Sequence, residues 1–125
     1  MLLAVMDQSV YVIGDVHGMV APLSTLLEQI REDAQRRGTA PFFVFVGDLL
    51  DRGPDSAAVV SRVRALSESG EAASVLGNHD EMFLQTLALS RPDLLTEKAP
   101  PLNDASPEAM LNHWLSQGGV ETIRS

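Results

Sequence analysis

Three motifs that each open on glycine concentrate metal-ligand and phosphate-handling residue types. They are Gly14-Asp15-Val16-His17-Gly18, Gly47-Asp48-Leu49-Leu50-Asp51-Arg52-Gly53 and Gly77-Asn78-His79-Asp80. Asp15 and His17 are two positions apart, so in an extended segment both side chains point the same way. With Asp48 they can hold one cation through two carboxylates and an imidazole. Such a mixed oxygen and nitrogen set favours Mn, Fe or Zn over Ca. The glycines permit tight turns and close backbone approach, which suits a metal site built to handle phosphate.

The elements that must position these motifs are legible in the apolar pattern. Val10-Tyr11-Val12-Ile13 is a β-branched and aromatic run that ends at Gly14, a strand by composition. Leu23, Leu26, Leu27, Ile30 and Ala34 then follow helical spacing, and Gly38 is a natural stop. Phe42-Phe43-Val44-Phe45-Val46 is a continuous apolar run, expected to be buried on both faces as in a parallel sheet. A second helix carries Val59, Val60, Val63 and Leu66 on its inner face and stops at Gly70. Ala73-Ser74-Val75-Leu76 is the third strand, and residues 80–89 the third helix.

The order βαβαβα, with crossover helices and short connections, predicts a parallel sheet with right-handed crossovers. Each motif then emerges at the carboxyl end of a strand, where open α/β sheets bind ligands. Residues 90–105, rich in Pro, Asn and Asp, read as an irregular loop. A last helix over 106–118 has Ser106 as N-cap, Pro107 in its first turn, a stripe of Met110, Leu111, Trp114 and Leu115, and Gly118-Gly119 as its end. That stripe reads as core or interface, and His113 beside it as a partly exposed structural histidine.

Composition sets further bounds. The 125 residues allow a single domain, and 45% hydrophobic content supports an ordinary core. The net charge of −8 argues against nucleic acid as a partner. The absence of cysteine removes disulfides and any Cys-nucleophile mechanism, and is compatible with a reducing compartment. Residues 1–6 are a poor signal peptide, and no run has the roughly 20 apolar residues needed to span a bilayer. The expected setting is cytoplasmic, away from any membrane.

The three motifs resemble the GDxHG, GDxxDRG and GNH[E/D] blocks of the calcineurin-like metallophosphoesterases. The Asp51-Arg52-Gly53 ending is similar to the phosphoprotein phosphatase branch, which includes bacterial Ser/Thr phosphatases and symmetrical diadenosine tetraphosphate hydrolases. The resemblance covers residues 10–90 best. Trp114-Leu115, Gly118-Gly119 and Thr122 are similar to a stretch found in bacterial members. Any one block alone would be weak, whereas all three in order are hard to obtain by chance.

The resemblance implies a two-sheet α/β sandwich and two divalent metal ions, manganese first, with iron or zinc as alternatives. The residues matching the metal set are Asp15, His17, Asp48, which bridges the two ions, and Asn78. Two ions about 3.5–4 Å apart can share a hydroxide and clamp phosphoryl oxygens during in-line attack. Arg52, Asn78 and His79 match phosphate-binding positions. His79 matches the acid that protonates the leaving oxygen, and Asp51 the residue that orients its imidazole. The implied activity is hydrolysis of a phosphoester in a phosphorylated protein or small molecule. A Ser/Thr protein phosphatase stands first, and a symmetrical bis(5'-nucleosyl)-tetraphosphate hydrolase is the alternative.

Family members add two further histidines and another arginine beyond the third motif. Here His113 is the only histidine in that region, and no strand-like run follows Leu76. The sequence therefore reads as the N-terminal half of the sandwich: a parallel sheet with crossover helices plus an extra C-terminal helix. A different class of function is then a non-catalytic metal-binding or interaction fragment. An uncovered sheet face would have to be covered by the last helix or by self-association.

Overall fold

The computed structural model describes residues 7–95 and 106–125. The expectation for residues 1–6, and the loop expectation for 96–105, lie outside the described residues. Strands β1 (Gln8–Ile13), β2 (Ala40–Phe45) and β3 (Ala72–Ser74) alternate with helices α1 (Val20–Arg37), α2 (Ser56–Glu68) and α3 (Asn78–Ser90). A single 3-10 turn, Pro92–Leu94, follows α3. The C-terminal part comprises α4 (Pro107–Trp114), a π-helical turn at Leu115–Gly119 and α5 (Val120–Arg124). The sheet is wholly parallel in the order β1-β2-β3, with Ile13 opposite Phe45 and Phe45 opposite Ser74.

Neighbouring strands joined in sequence by crossovers of one hand place their helices on one face of the sheet. The core forms there: Leu23, Leu27 and Ile30 of α1 and Val59, Val63 and Leu66 of α2 pack on Ile13, Phe43, Phe45 and Ala72. Phe43, Phe45 and Val59 are completely buried, each contributing about 1.5–3 kcal/mol by leaving water. Gly38, at φ 69°, closes α1 by donating its N–H to the carbonyls of Ala34 and Gln35, as the sequence anticipated.

The other face is open, and here the expectation for β2 is corrected. Residues 42–46 are not buried on both faces: Phe42 and Val44 are half-buried, and Val46 is exposed. Val10, Val12 and Val75 have 62%, 67% and 59% of their surface exposed. The last helix does not cover that face either. α4 lies against α3, and α5 lies beside α2. Nor do Gly118 and Gly119 end the helix. Gly118, at φ 106°, kinks it through the π turn, and the chain continues helically to Arg124. The Ser106 N-cap holds, its hydroxyl accepting from the Ala109 N–H. No described helix is long and apolar enough to cross a membrane.

Candidate metal and phosphate site

Each of the three motifs follows its strand within three residues, β3 ending at Ser74 rather than at Leu76 as expected, so all three meet at one end of the sheet. Main-chain bonds join the first two: the N–H groups of Val16 and His17 donate to the Asp48 carbonyl at 3.1 and 2.9 Å, and Gly18 donates to the Leu49 carbonyl at 2.9 Å. The third is joined to the second through Asp80. Its Oδ2 accepts from the backbone N–H groups of Asp48 (2.6 Å) and Gly77 (2.9 Å), and its Oδ1 accepts from Leu49 (2.9 Å). The bond to Gly77 is half of a capping box at the start of α3. Gly47, at φ 99°, lies against the Gly77 backbone, where a Cβ would collide.

Asp15, His17 and Asp48 each bring a ligand atom within 4.8 Å of the other two. Asp15 is exposed, His17 half-buried and Asp48 buried, a gradient that leaves the trio open to solvent on one side. His17 Nδ1 lies 3.0 Å from the Leu50 carbonyl. A carbonyl accepts, so Nδ1 carries the proton and Nε2 keeps its lone pair for a cation. The donor set, spacing and tautomer all fit a divalent transition-metal ion. Asp48 Oδ1 also accepts from the His79 N–H at 2.9 Å, in the first turn of α3, where the helix dipole favours a carboxylate.

Beside the trio runs a second group. Asp51, completely buried, has its Oδ2 2.9 Å from His79 Nδ1. The Arg52 guanidinium donates to His79 Nε2 at 3.2 Å. Arginine only donates, so Nε2 accepts and Nδ1 holds the proton shared with Asp51. The His17 and His79 rings meet edge to face, 4.8 Å between centroids. Asn78 is exposed at the first position of α3, one residue before His79. Of the seven candidates from sequence, three converge as a ligand set and three form the Asp51-His79-Arg52 chain. Asn78 flanks both.

Strain marks the same place. Among the described residues, the non-glycines with positive φ are His17, Asp48, Asp51 and Arg52, at 45°, 52°, 74° and 69°. Such conformations cost on the order of 1–3 kcal/mol each and persist where the surroundings over-determine them.

Sequence reasoning missed two contributions. Asp80 reads in sequence only as the last residue of the third motif, yet its carboxylate ties motifs two and three together. Trp114 reads there as core or interface and as part of a stretch similar to bacterial members, with no role at the site, yet its indole Nε1 donates to both Asp51 oxygens at 3.0 and 2.9 Å. Thr122 adds its hydroxyl to Asp51 Oδ1 at 2.6 Å. His113 is exposed at the end of α4, as anticipated.

Comparison with known proteins agrees with this geometry. Residues 9–123 match the family described as calcineurin-like phosphoesterase. Curated relatives named symmetrical bis(5'-nucleosyl)-tetraphosphatase include proteins from Ralstonia nicotianae, 41% identical over 110 residues, and Thioalkalivibrio sulfidiphilus, 37% identical over 107. A third, from Bordetella parapertussis, is 38% identical over 112 residues. These alignments take in 84%, 86% and 88% of this chain, but 35%, 37% and 38% of the relatives. The chain spans little more than a third of the length of the curated relatives it matches. It belongs to the calcineurin-like phosphoesterase family, a family of hydrolases.

Proposed function

We propose that this chain carries the metal-binding half of a hydrolase that splits dinucleoside tetraphosphates at the central bridge. The observation that carries the phosphoester chemistry is the convergence of Asp15, His17 and Asp48 beside the Asp51-His79-Arg52 chain. The names of the relatives favour a dinucleoside tetraphosphate over a phosphoprotein, which reverses the order of preference drawn from the motifs alone. A polar cleft of about 540 Å³ bordered by Arg52, Ser116, Gln117 and Glu121 adds room for a nucleoside next to the phosphate-binding arginine.

Asp15, His17 and Asp48 would hold one divalent ion, with manganese the first choice, and Asp48 and Asn78 would serve a second. Bound there, the ions would polarise phosphoryl oxygens and lower the pKa of a water. Arg52, Asn78 and His79 bind the phosphate. Arg52 is exposed, and a phosphate that draws its guanidinium away frees His79 Nε2 to carry a proton. His79 then gives that proton to the leaving diphosphate oxygen as water oxygen bonds to phosphorus and the bridging P–O bond breaks. The products are two nucleoside diphosphates. Asp51 holds the imidazole through Nδ1 throughout.

The cysteine-free composition is compatible with a cytoplasmic setting. The open sheet face supports self-association through Val10, Val12 and Val75. The test is hydrolysis of diadenosine tetraphosphate, a phosphoserine peptide and p-nitrophenyl phosphate by the Mn²⁺-loaded chain, with Asp48→Asn as control. Turnover of the dinucleotide above the control supports the proposal. Preference for the peptide would return the assignment to a protein phosphatase. Mn²⁺ binding with no turnover of any substrate would make the chain a non-catalytic metal-binding fragment.

A further inference from the structure

We propose that Trp114, Gly118 and Thr122, recurring at every fourth residue, form a positioning face that holds Asp51 and Arg52 ready for phosphate chemistry. Only the effect on turnover rests on the function proposed above; the geometric claim stands apart from it. Both held residues have left-handed backbones, a conformation that non-glycine residues keep only when neighbours enforce it. The enforcing contacts come from the C-terminal segment. Thr122 Oγ1 accepts from the Asp51 N–H at 2.9 Å while donating to the Asp51 carboxylate, so one hydroxyl closes a ring around that residue. Ser56 Oγ shares the same N–H at 3.0 Å. The Gly118 carbonyl accepts from the Arg52 N–H at 3.1 Å. A Cβ on Gly118 would lie 2.7 Å from both Cγ and N of Arg52, so a side chain there would displace the residue being held.

The carboxylate is as tightly specified as the backbone. Buried charge requires donors, and Asp51 receives the indole N–H of Trp114 across both oxygens and the Thr122 hydroxyl on one. Among the described residues one further donor reaches it, His79 Nδ1–H. The plane of the carboxylate is thus set from the C-terminal side, and the imidazole takes the tautomer that this plane dictates. Helix docking by itself would need only the apolar contact of Trp114 with Phe83, whose rings are 5.5 Å apart. It would not need an indole N–H aimed at a carboxylate.

The test reads the imidazole directly. The metal-free chain, with ¹⁵N-labelled histidine, is examined by NMR at about pH 8.5, above the ordinary imidazole range. The chain has three histidines, and His79 is assigned by its loss in His79→Gln. The wild type should show His79 protonated at Nδ1. Thr122→Val and Trp114→Phe should shift it toward a mixture with the Nε2–H form, and Thr122→Ser should restore the wild-type signal. His17, anchored on the Leu50 carbonyl, should be unchanged and reports that the fold persists. Should Trp114→Phe fail to fold, the near-isosteric Thr122→Val decides alone. An Nδ1–H His79 retained in the folded variants would overturn the proposal and leave Trp114 and Thr122 as packing residues.

The second arm is turnover of diadenosine tetraphosphate. Thr122→Val should lower kcat roughly tenfold to a hundredfold, the scale of a misplaced catalytic group, with KM within about threefold. A rise in KM at constant kcat would refute a positioning role. A wild-type chain without turnover would count against the proposed function alone, and the tautomer would still decide the geometric claim.

Discussion

Replacing Asp80 by asparagine removes almost no volume but changes what the side chain can accept. The carboxylate takes three backbone N–H groups, two on Oδ2 and one on Oδ1, and is 5% exposed. Asparagine can present its carbonyl to Asp48 and Gly77, which leaves its NH₂ facing the Leu49 N–H, donor against donor. The lost bond and stranded donor cost about 1–3 kcal/mol. The two surviving bonds lose their charge assistance, at roughly 1 kcal/mol each. The sum of about 3–5 kcal/mol is large against the roughly 5–15 kcal/mol that holds a typical domain together. Urea unfolding of the metal-free chain should therefore show a midpoint lower by roughly 2 M, given slopes of about 1–3 kcal/mol per molar. Asp93→Asn, in an exposed pair with Arg91, is the control and should leave the midpoint in place. A shift for Asp80→Asn below about 0.3 M would refute the view that this carboxylate ties the motif loops together.

Asp48→Asn should abolish tight Mn²⁺ binding by calorimetry, because it removes one of two carboxylates from the three-ligand set; unchanged affinity would refute the proposed site. Gly77→Ala would drive a Cβ into the Asp48 carboxylate, and should weaken Mn²⁺ binding at least as strongly as it weakens the fold. On the α1 side of the sheet, hydrogen bonds from Arg37 and Tyr11 hold the Asp33 carboxyl down at about 2. Its stabilising contribution is full above the ordinary carboxylate value and is lost as pH falls toward 2. The difference in thermal midpoint between wild type and Asp33→Asn should accordingly be greater at pH 5 than at pH 2.5. Val12→Asp on the open sheet face should shift any self-associated form toward monomer in sedimentation; an unchanged distribution would place self-association elsewhere.

The sheet and its helices were legible because burial on one face leaves a periodic trace. Leu23, Leu27 and Ile30 occupy the face their spacing predicts, and Gly38 stops α1 where expected, whereas Leu26 and Val60, expected on the inner faces of α1 and α2, lie at the exposed margins. The run 42–46 misled because continuous apolarity cannot reveal whether a second layer is present, and here α1 and α2 cover one side only. The chemistry of Asp15, His17 and Asp48 was legible as motif and spacing. The roles of Asp80 and Trp114 were not. A carboxylate that bonds backbone N–H groups some 30 residues away leaves no periodic trace, and an apolar stripe does not disclose that one ring nitrogen within it meets a buried carboxylate. Gly118-Gly119 read as a stop because glycine usually ends helices; here Gly118 bends one around Arg52.

The main-chain bonds between the motif loops carry a consequence for how the protein breathes. Val16, His17 and Gly18 donate into the second loop, and Asp48, Leu49 and Gly77 donate into the Asp80 carboxylate. These six amides belong to different loops, yet none can be freed without loosening its neighbours. In hydrogen exchange they should open as one cooperative unit with a common free energy, rather than fray separately as surface loops do. Single-loop openings would then be rare, and the ligand atoms would be available together or not at all.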